Sequence, residues 1–377
     1  MRPVTPVWLT RPTRFGALGR RPARWVLALL AAFVLLAAIG SGSAMAPPAD
    51  QAKPTADAAA ADAQDRSDLI LYADVAAGVA HGDNYYLVAT RALRQGGYPV
   101  KPFVAVRLPT LAVVTAALPP ALLLALFWIV AMLALAAWWD RFGEAFARPV
   151  PRLLATMLVG CGGVLIVAPD LVLFHEAWAA LLIALGLARW RPDRWAESVA
   201  LLLAAALIRE TAALALLVMA GLALLDRRRS ELLAWAGALA VLAVVLLLHA
   251  RAVAVFTQPF DPASEGWGDL GGFGFFAKAV AASSALGIAP APLAAALVVL
   301  ALAGWAAWGD PLALRILAIL VAYALVLATL ARTDTYYWAF LVAPLLPAGL
   351  AFVPDAVGNL WARAIDRRRI TIHMGTR

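Results

Sequence analysis

Apolar runs long enough to cross a bilayer recur along this chain from end to end, and they restrict its fold more than any motif does. A helix needs about 20 apolar residues to traverse a hydrocarbon core about 30 Å thick. Stretches near 111–139, 232–252 and 312–330 supply them as nearly unbroken Leu, Ala and Val. In lipid every backbone polar group has to be satisfied internally, which leaves helices or a closed barrel. The runs are continuous and do not alternate, so a barrel is excluded. Composition agrees: of 377 residues 64% are hydrophobic and 14% charged, too few polar groups to coat a soluble enzyme. The expected fold class is an all-α polytopic membrane protein of about ten membrane segments, including a short hairpin and a first outer loop that carries an amphipathic interfacial helix.

The net charge of +8 would point to nucleic acid in a soluble chain. Here the arginines flank apolar spans, where they set orientation, and no nucleic-acid partner is needed. Arg2, Arg11, Arg14, Arg20, Arg21 and Arg24 precede a first span at 25–40 and place residues 1–24 in the cytoplasm. Ala44-Met45-Ala46 after this span also fits a signal-peptide cleavage site, the competing reading. Residues 41–67, rich in Pro, Ala and Asp, read as a flexible extracytoplasmic linker, 68–355 as the multi-span core and 356–377 as a basic cytoplasmic tail. One cysteine, Cys161 in an apolar run, allows neither a disulfide nor a Cys-based metal site, and the histidines at 81, 175, 249 and 373 lack ligand spacing. No metal or other cofactor is indicated, although Asp83 and Asp170 could share a divalent ion.

Charge alternation orders the core as spans near 111–139, 153–168, 171–188, 199–225, 232–252, 291–308, 312–330 and 337–353. The fourth is informative. Its 27 residues are interrupted by Arg209-Glu210 and followed by Arg227, Arg228 and Arg229, so a single crossing would strand three arginines outside. A short hairpin bent at Arg209-Glu210 avoids that.

An ionisable group at membrane depth costs about 2.5–3.5 kcal/mol on insertion scales, so each one retained has a partner or a task. In this topology Asp83, Asp170, His175, Glu176, Arg209, Glu210, His249, Arg251, Arg332 and Asp334 fall on or just beneath the outer face, and no comparable set falls on the cytoplasmic half. That one-sidedness predicts a polar cavity open to the outer leaflet, with Tyr85 and Tyr336 among its contacts. Each residue also has a structural reading. Arg209-Glu210 can be an ion pair at a bend, Arg332 and Asp334 a loop-end pair, and Tyr336, Tyr337 and Trp338 an interfacial belt. His249 and Arg251 can snorkel, His175 and Glu176 can hydrogen-bond between helices, and Asp83 can be an N-cap. Trp138, Trp139, Trp190 and Trp195 read as interface anchors.

The first outer loop is the most specific stretch. After Asp83, Tyr85, Tyr86, Ala89 and Leu93 follow at helical spacing, and Gly96-Gly97 stop the helix. At GDNYYLVATRALRQGGYPVKPF the sequence resembles the GT-C superfamily of integral membrane glycosyltransferases, which includes the polyprenyl-phosphate-dependent mannosyltransferases and the lipid A aminoarabinose transferase. Pro169-Asp170 before LVLFHEAWAALLIALGLARW is similar to that family's second acidic outer loop, LLAAALIRETAALALLVMAGL to its short hairpin, and RTDTYYWAFLVAPLLP to its late basic-aromatic-proline element.

The resemblance implies an inverting transfer of a hexose or pentose from a polyprenyl-phosphate donor to a lipid or cell-envelope glycan, on the extracytoplasmic face of a bacterial inner membrane with both termini cytoplasmic. It implies Asp83 as the base that activates the acceptor hydroxyl, with Asp74 as its rival, because Asp83 lies farther from the first span than the family pattern has it. Asp170 or Glu176 would orient the acceptor, and Arg209 and Arg332 would hold the phosphate. Guanidinium groups suit that task, being always charged and able to bind phosphate through two N–H groups. A transporter or flippase for a lipid-linked or anionic substrate is the main alternative, and a non-catalytic assembly subunit the third.

Overall fold

The computed structural model describes residues 6–43, 68–264, 266, 270–330 and 333–366. The linker over 44–67, Arg332 and the tail over 367–377 lie outside them. The described chain is all-helical, without strands. Its α-helices are α1 (Arg20–Ser43), α2 (68–80), α3 (Tyr85–Gln95), α4 (Thr110–Ala117), α5 (Pro120–Ala145), α6 (Pro149–Gly163) and α7 (His175–Arg189). Then come α8 (Ala196–Ile208), α9 (Ala213–Leu225), α10 (Arg229–Phe256), α11 (Gly272–Ala282), α12 (Ala291–Ala307), α13 (Pro311–Thr329) and α14 (Val353–Ile365). Four helices, α1, α5, α10 and α13, are long and apolar enough to cross a membrane, which is consistent with a membrane protein. The other expected spans are shorter, with 13 residues each in α8 and α9 and 17 in α12.

The bundle is built around α7. Its residues from His175 to Ala188 are buried on every side, the pattern of a helix surrounded by other helices. It packs against α5, α8 and the 3-10 turn Thr333–Leu341. Two expected spans take a different form. The run near 111–139 is split at Leu118-Pro119-Pro120 into α4 and α5, because Pro lacks the N–H that would continue the ladder and pushes the residue before it out of the helical region. The run near 337–353 is not an α-helix. Pro344 and Pro347 break it into the 3-10 turns Thr333–Leu341 and Pro347–Phe352. Such backbone survives in an apolar setting only when protein covers it and side chains meet its carbonyls. Residues 338–349 are buried throughout, and Trp305 Nε1 donates to Leu345 O at 3.0 Å. Close approach makes this possible: a Cβ on Gly304 would lie 1.8 Å from Gly349 O, and one on Gly162 2.2 Å from Ala343 O.

Side-chain contacts separate the two ends of the bundle. At one end Arg141 reaches Asp310 (2.5 Å) and Glu144, Arg315 reaches Asp226 (2.6 Å), and Trp190 donates to buried Glu231 (2.8 Å). The segment before α1 is woven in here. Asp355 accepts the backbone N–H of Val7, Trp8 and Leu9, and Arg14 donates to Asp310 O at 2.6 Å. This is the end the sequence assigns to the cytoplasm. It holds buried ionic groups of its own, which corrects the expectation that charge gathers on one side only. Trp138 and Trp190 are also corrected: both are fully buried hydrogen-bond donors, Trp138 to Ala184 O at 3.0 Å, because closely packed helices bring carbonyls within reach of the indole N–H.

Candidate functional site

At the opposite end several turns of the chain surround one space. The α8–α9 hairpin bends there at Arg209-Glu210, as the interrupted apolar run predicts. The bend leaves carbonyls without helical donors, and side chains supply them: Thr110 Oγ1 donates to Leu207 O at 2.5 Å and Tyr323 OH to Thr211 O at 2.9 Å. The first residues of α7, the loop before α4 and the 3-10 turn at Tyr337 meet the same bend.

The loop that the sequence places first on the outer face forms the roof. Asn84 caps α3, accepting from Tyr86 N at 2.9 Å and Leu87 N at 3.3 Å. The helix ends in a Schellman turn, with Tyr98 N bonded to Leu93 O (2.9 Å), Gly97 N to Arg94 O (3.2 Å) and Gly97 at φ 73°, a conformation glycine adopts without strain. Ala89 and Leu93 pack with Val75 of α2 and Val253 of α10, so α3 is docked on the bundle. A strap over 257–264 is tied to it: Arg94 grips Asp261 with two hydrogen bonds (2.6 and 2.9 Å) and Phe256 O with a third (2.5 Å), and Lys101 Nζ donates to Pro259 O at 2.8 Å. The hydrogen bonds from Arg94 hold the Asp261 carboxyl down to about pKa 2.

Between roof and bundle lies a cavity of about 850 Å³. Its floor is an ionic quartet. Arg209 donates to both Glu176 and Glu210, and Arg107 stands 3.9 Å from Glu176 and 3.8 Å from Glu210. The four differ in depth: Glu176 is 0% and Arg209 2% exposed, whereas Arg107 is 17% and Glu210 16% exposed towards the cavity. Arg107 is aimed by its own backbone. Tyr85 OH donates to Arg107 O at 2.7 Å, and the His249 ring nitrogen Nε2 lies 2.9 Å from Val106 O. Tyr72, Tyr85, His175, Thr211 and Tyr337 also line the walls. Around it His175 Nδ1, Glu176 Oε2, Thr115 Oγ1 and Thr211 Oγ1 are buried with no protein hydrogen-bond partner.

The sequence-predicted residues divide sharply. Glu176, Arg209, Glu210, His175 and Tyr85 come together. Asp83 does not: its side chain is exposed in the turn before Asn84 and does not line the cavity, because the roof helix starts one residue later and Asn84 takes the capping role. Its rival Asp74 is exposed on α2, and Asp170 is exposed at the tip between α6 and α7. Neither lines the cavity, and among the described residues no group of three His, Cys, Asp or Glu could hold a metal ion, so the Asp83–Asp170 pair forms no such cluster. Arg251 is exposed on α10, Tyr336 is half-buried beside the cavity-lining Tyr337, and Arg332 lies outside the described residues. Arg107 and Tyr72 escaped sequence reasoning, and Tyr337, read there as part of an interfacial belt, lines the cavity instead. Arg107 sits two residues before Pro109 at the mouth of an apolar run, where it reads as an ordinary span-end arginine. Only the loop's return path brings it over Glu210.

Comparison with family models, with characterised proteins and with solved structures finds no match for this chain.

Proposed function

We propose that this chain is a membrane glycosyltransferase that moves a sugar from a polyprenyl-phosphate donor to a lipid or glycan hydroxyl, on the face of a bacterial inner membrane away from the cytosol. The observation that carries the reading is the pair of guanidinium groups, Arg107 and Arg209, at a roofed cavity that also presents the carboxylate of Glu210. The resemblance of the first loop, the hairpin and the late aromatic element to GT-C enzymes supports it from the sequence side.

In this reading the donor phosphate lies on Arg107, with Arg209 behind it. Glu210 takes the proton of the acceptor hydroxyl, the acceptor oxygen bonds to the anomeric carbon, and the carbon–oxygen bond to phosphate breaks, its electron pair leaving with the phosphate. Charge accumulates on the departing phosphate, where two fixed cations in a partly dehydrated space act most strongly. Glu210 takes the base role that the family pattern implies for Asp83, because it lines the cavity and Asp83 does not. His175 and Thr211 line the cavity beside Glu210. The test is transfer of radiolabelled sugar from a short-chain prenyl-phosphate sugar to membrane lipid or glycan by the purified chain in proteoliposomes. Transfer by the wild type, lost in Glu210→Gln, supports the reading, and no transfer from any such donor overturns it.

A transporter is the second reading: transport needs access from both sides, and the Arg141–Asp310 and Arg315–Asp226 pairs put polar groups at the second end as well. Flux of labelled prenyl phosphate between leaflets of the same proteoliposomes separates the two.

A further inference from the structure

We propose that Glu210 is an internal stand-in for the anionic ligand, its carboxylate occupying the place on Arg209 and Arg107 that a phosphate group takes, so that ligand binding expels it.

The charge balance of the quartet suggests this. Glu176 is fully buried and neutralises one of the two arginines from below. Without Glu210 the remaining trio carries a net charge of +1 beside a cavity, which is an anion site. Glu210 fills that site from the cavity side. It accepts from Arg209 Nη1 and sits 3.8 Å from Arg107 Nη1, a spacing that leaves room for a better fit. A phosphate has more oxygen acceptors and a larger charge than a carboxylate, and guanidinium groups bind it through two N–H groups. Glu210 also lies on the short turn Glu210–Ala212 between two helices, where moving one side chain leaves α8 and α9 intact. His175 and Thr211, which line the cavity next to Glu210, add polar side chains to this wall.

The consequence is ordered binding. A carboxylate locked on two guanidinium groups is a poor base, and a displaced one is free to accept a proton. The inference rests on the transferase reading for that consequence, but the displacement itself is a binding event and is tested without turnover.

The probes are farnesyl phosphate and inorganic phosphate, with farnesol as the uncharged control, titrated into the full chain in detergent by calorimetry. Glu210→Gln removes the competing charge and is expected to bind farnesyl phosphate about tenfold more tightly than wild type, a difference of about 1.4 kcal/mol. Glu210→Asp keeps the charge on a shorter arm and is expected to fall between them. Farnesol affinity should not change. A parallel gain for inorganic phosphate identifies free phosphate as a sufficient ligand, and a gain for farnesyl phosphate alone assigns the site to a lipid headgroup. Equal or weaker farnesyl phosphate binding by a folded Glu210→Gln overturns the proposal. Should that variant fail to fold, Glu210→Asp binding no more tightly than wild type overturns it as well. Tighter binding by Glu210→Gln beside a wild type that transfers no sugar would leave the displacement standing and remove the transferase.

Discussion

At the scale of single residues, depth within the quartet decides what each substitution does. Arg209→Ala would leave Glu176, at 0% exposure, as a buried charge with only a distant cation, and breaking such a pair typically costs about 3–5 kcal/mol. This variant is expected to lower the unfolding midpoint in detergent sharply, so its loss of ligand binding would be uninformative. Arg107→Gln is the cleaner probe. Arg107 is partly exposed and its carboxylate contacts are long, 3.8 and 3.9 Å, so the unfolding midpoint should shift little while farnesyl phosphate affinity falls at least tenfold. Asp83→Asn should leave ligand binding and transfer within about twofold of wild type, since surface substitutions away from such features usually change stability by no more than about 0.5 kcal/mol. A large loss in that variant would return the base role to Asp83 and count against Glu210.

At the scale of elements, the unusual feature is a proline-broken segment lodged in the centre of a helical bundle. Helices in lipid gain little from hydrophobic burial against one another, so close packing and carbonyl hydrogen bonds carry the association. Gly304 and Gly349 face each other without side chains, and the Trp305 indole bridges to Leu345 O. Gly304→Ala places a Cβ 1.8 Å from a backbone oxygen, which neither helix nor turn can yield cheaply. Overpacking of this kind costs about 1–3 kcal/mol, and a matching fall in detergent unfolding is expected; Gly221→Ala, where nothing lies within 4 Å, is the control. The roof strap has its own signature. Asp261 has its carboxyl lowered from its ordinary 3.8 to about 2 by Arg94, so the stabilisation it gives is complete above pH 4 and is lost as pH falls from 4 towards 2. The protection factor of the Gln258 amide, which donates to Asp261 at 2.7 Å, should fall over that interval and stay level between pH 5 and 8.

At the scale of the whole molecule, what was legible in the sequence was whatever depends on local pattern. Continuous apolar runs gave the helical class, Arg209-Glu210 gave the hairpin bend, and the Gly96-Gly97 pair gave the end of α3. Long-range convergence was not legible. Whether a span-end arginine such as Arg107 or a turn carboxylate such as Asp83 faces the cavity depends on how the loop folds back, and charge type carries no such information. Hydropathy likewise could not show that 337–353 would be buried as 3-10 turns, because protein-covered and lipid-covered apolar residues look alike in a sequence. Nor did it show the Arg141–Asp310 network, whose partners lie 169 positions apart.

These scales meet in one measurement: sugar transfer by the purified wild-type chain in proteoliposomes, run beside Asp83→Asn and Glu210→Gln with farnesyl phosphate affinity recorded for all three. Transfer that persists in Asp83→Asn and disappears in Glu210→Gln, while Glu210→Gln binds the prenyl phosphate more tightly, is the expected result. Transfer that survives Glu210→Gln, or fails in Asp83→Asn alone, would contradict a catalytic centre on the Arg107–Arg209 floor.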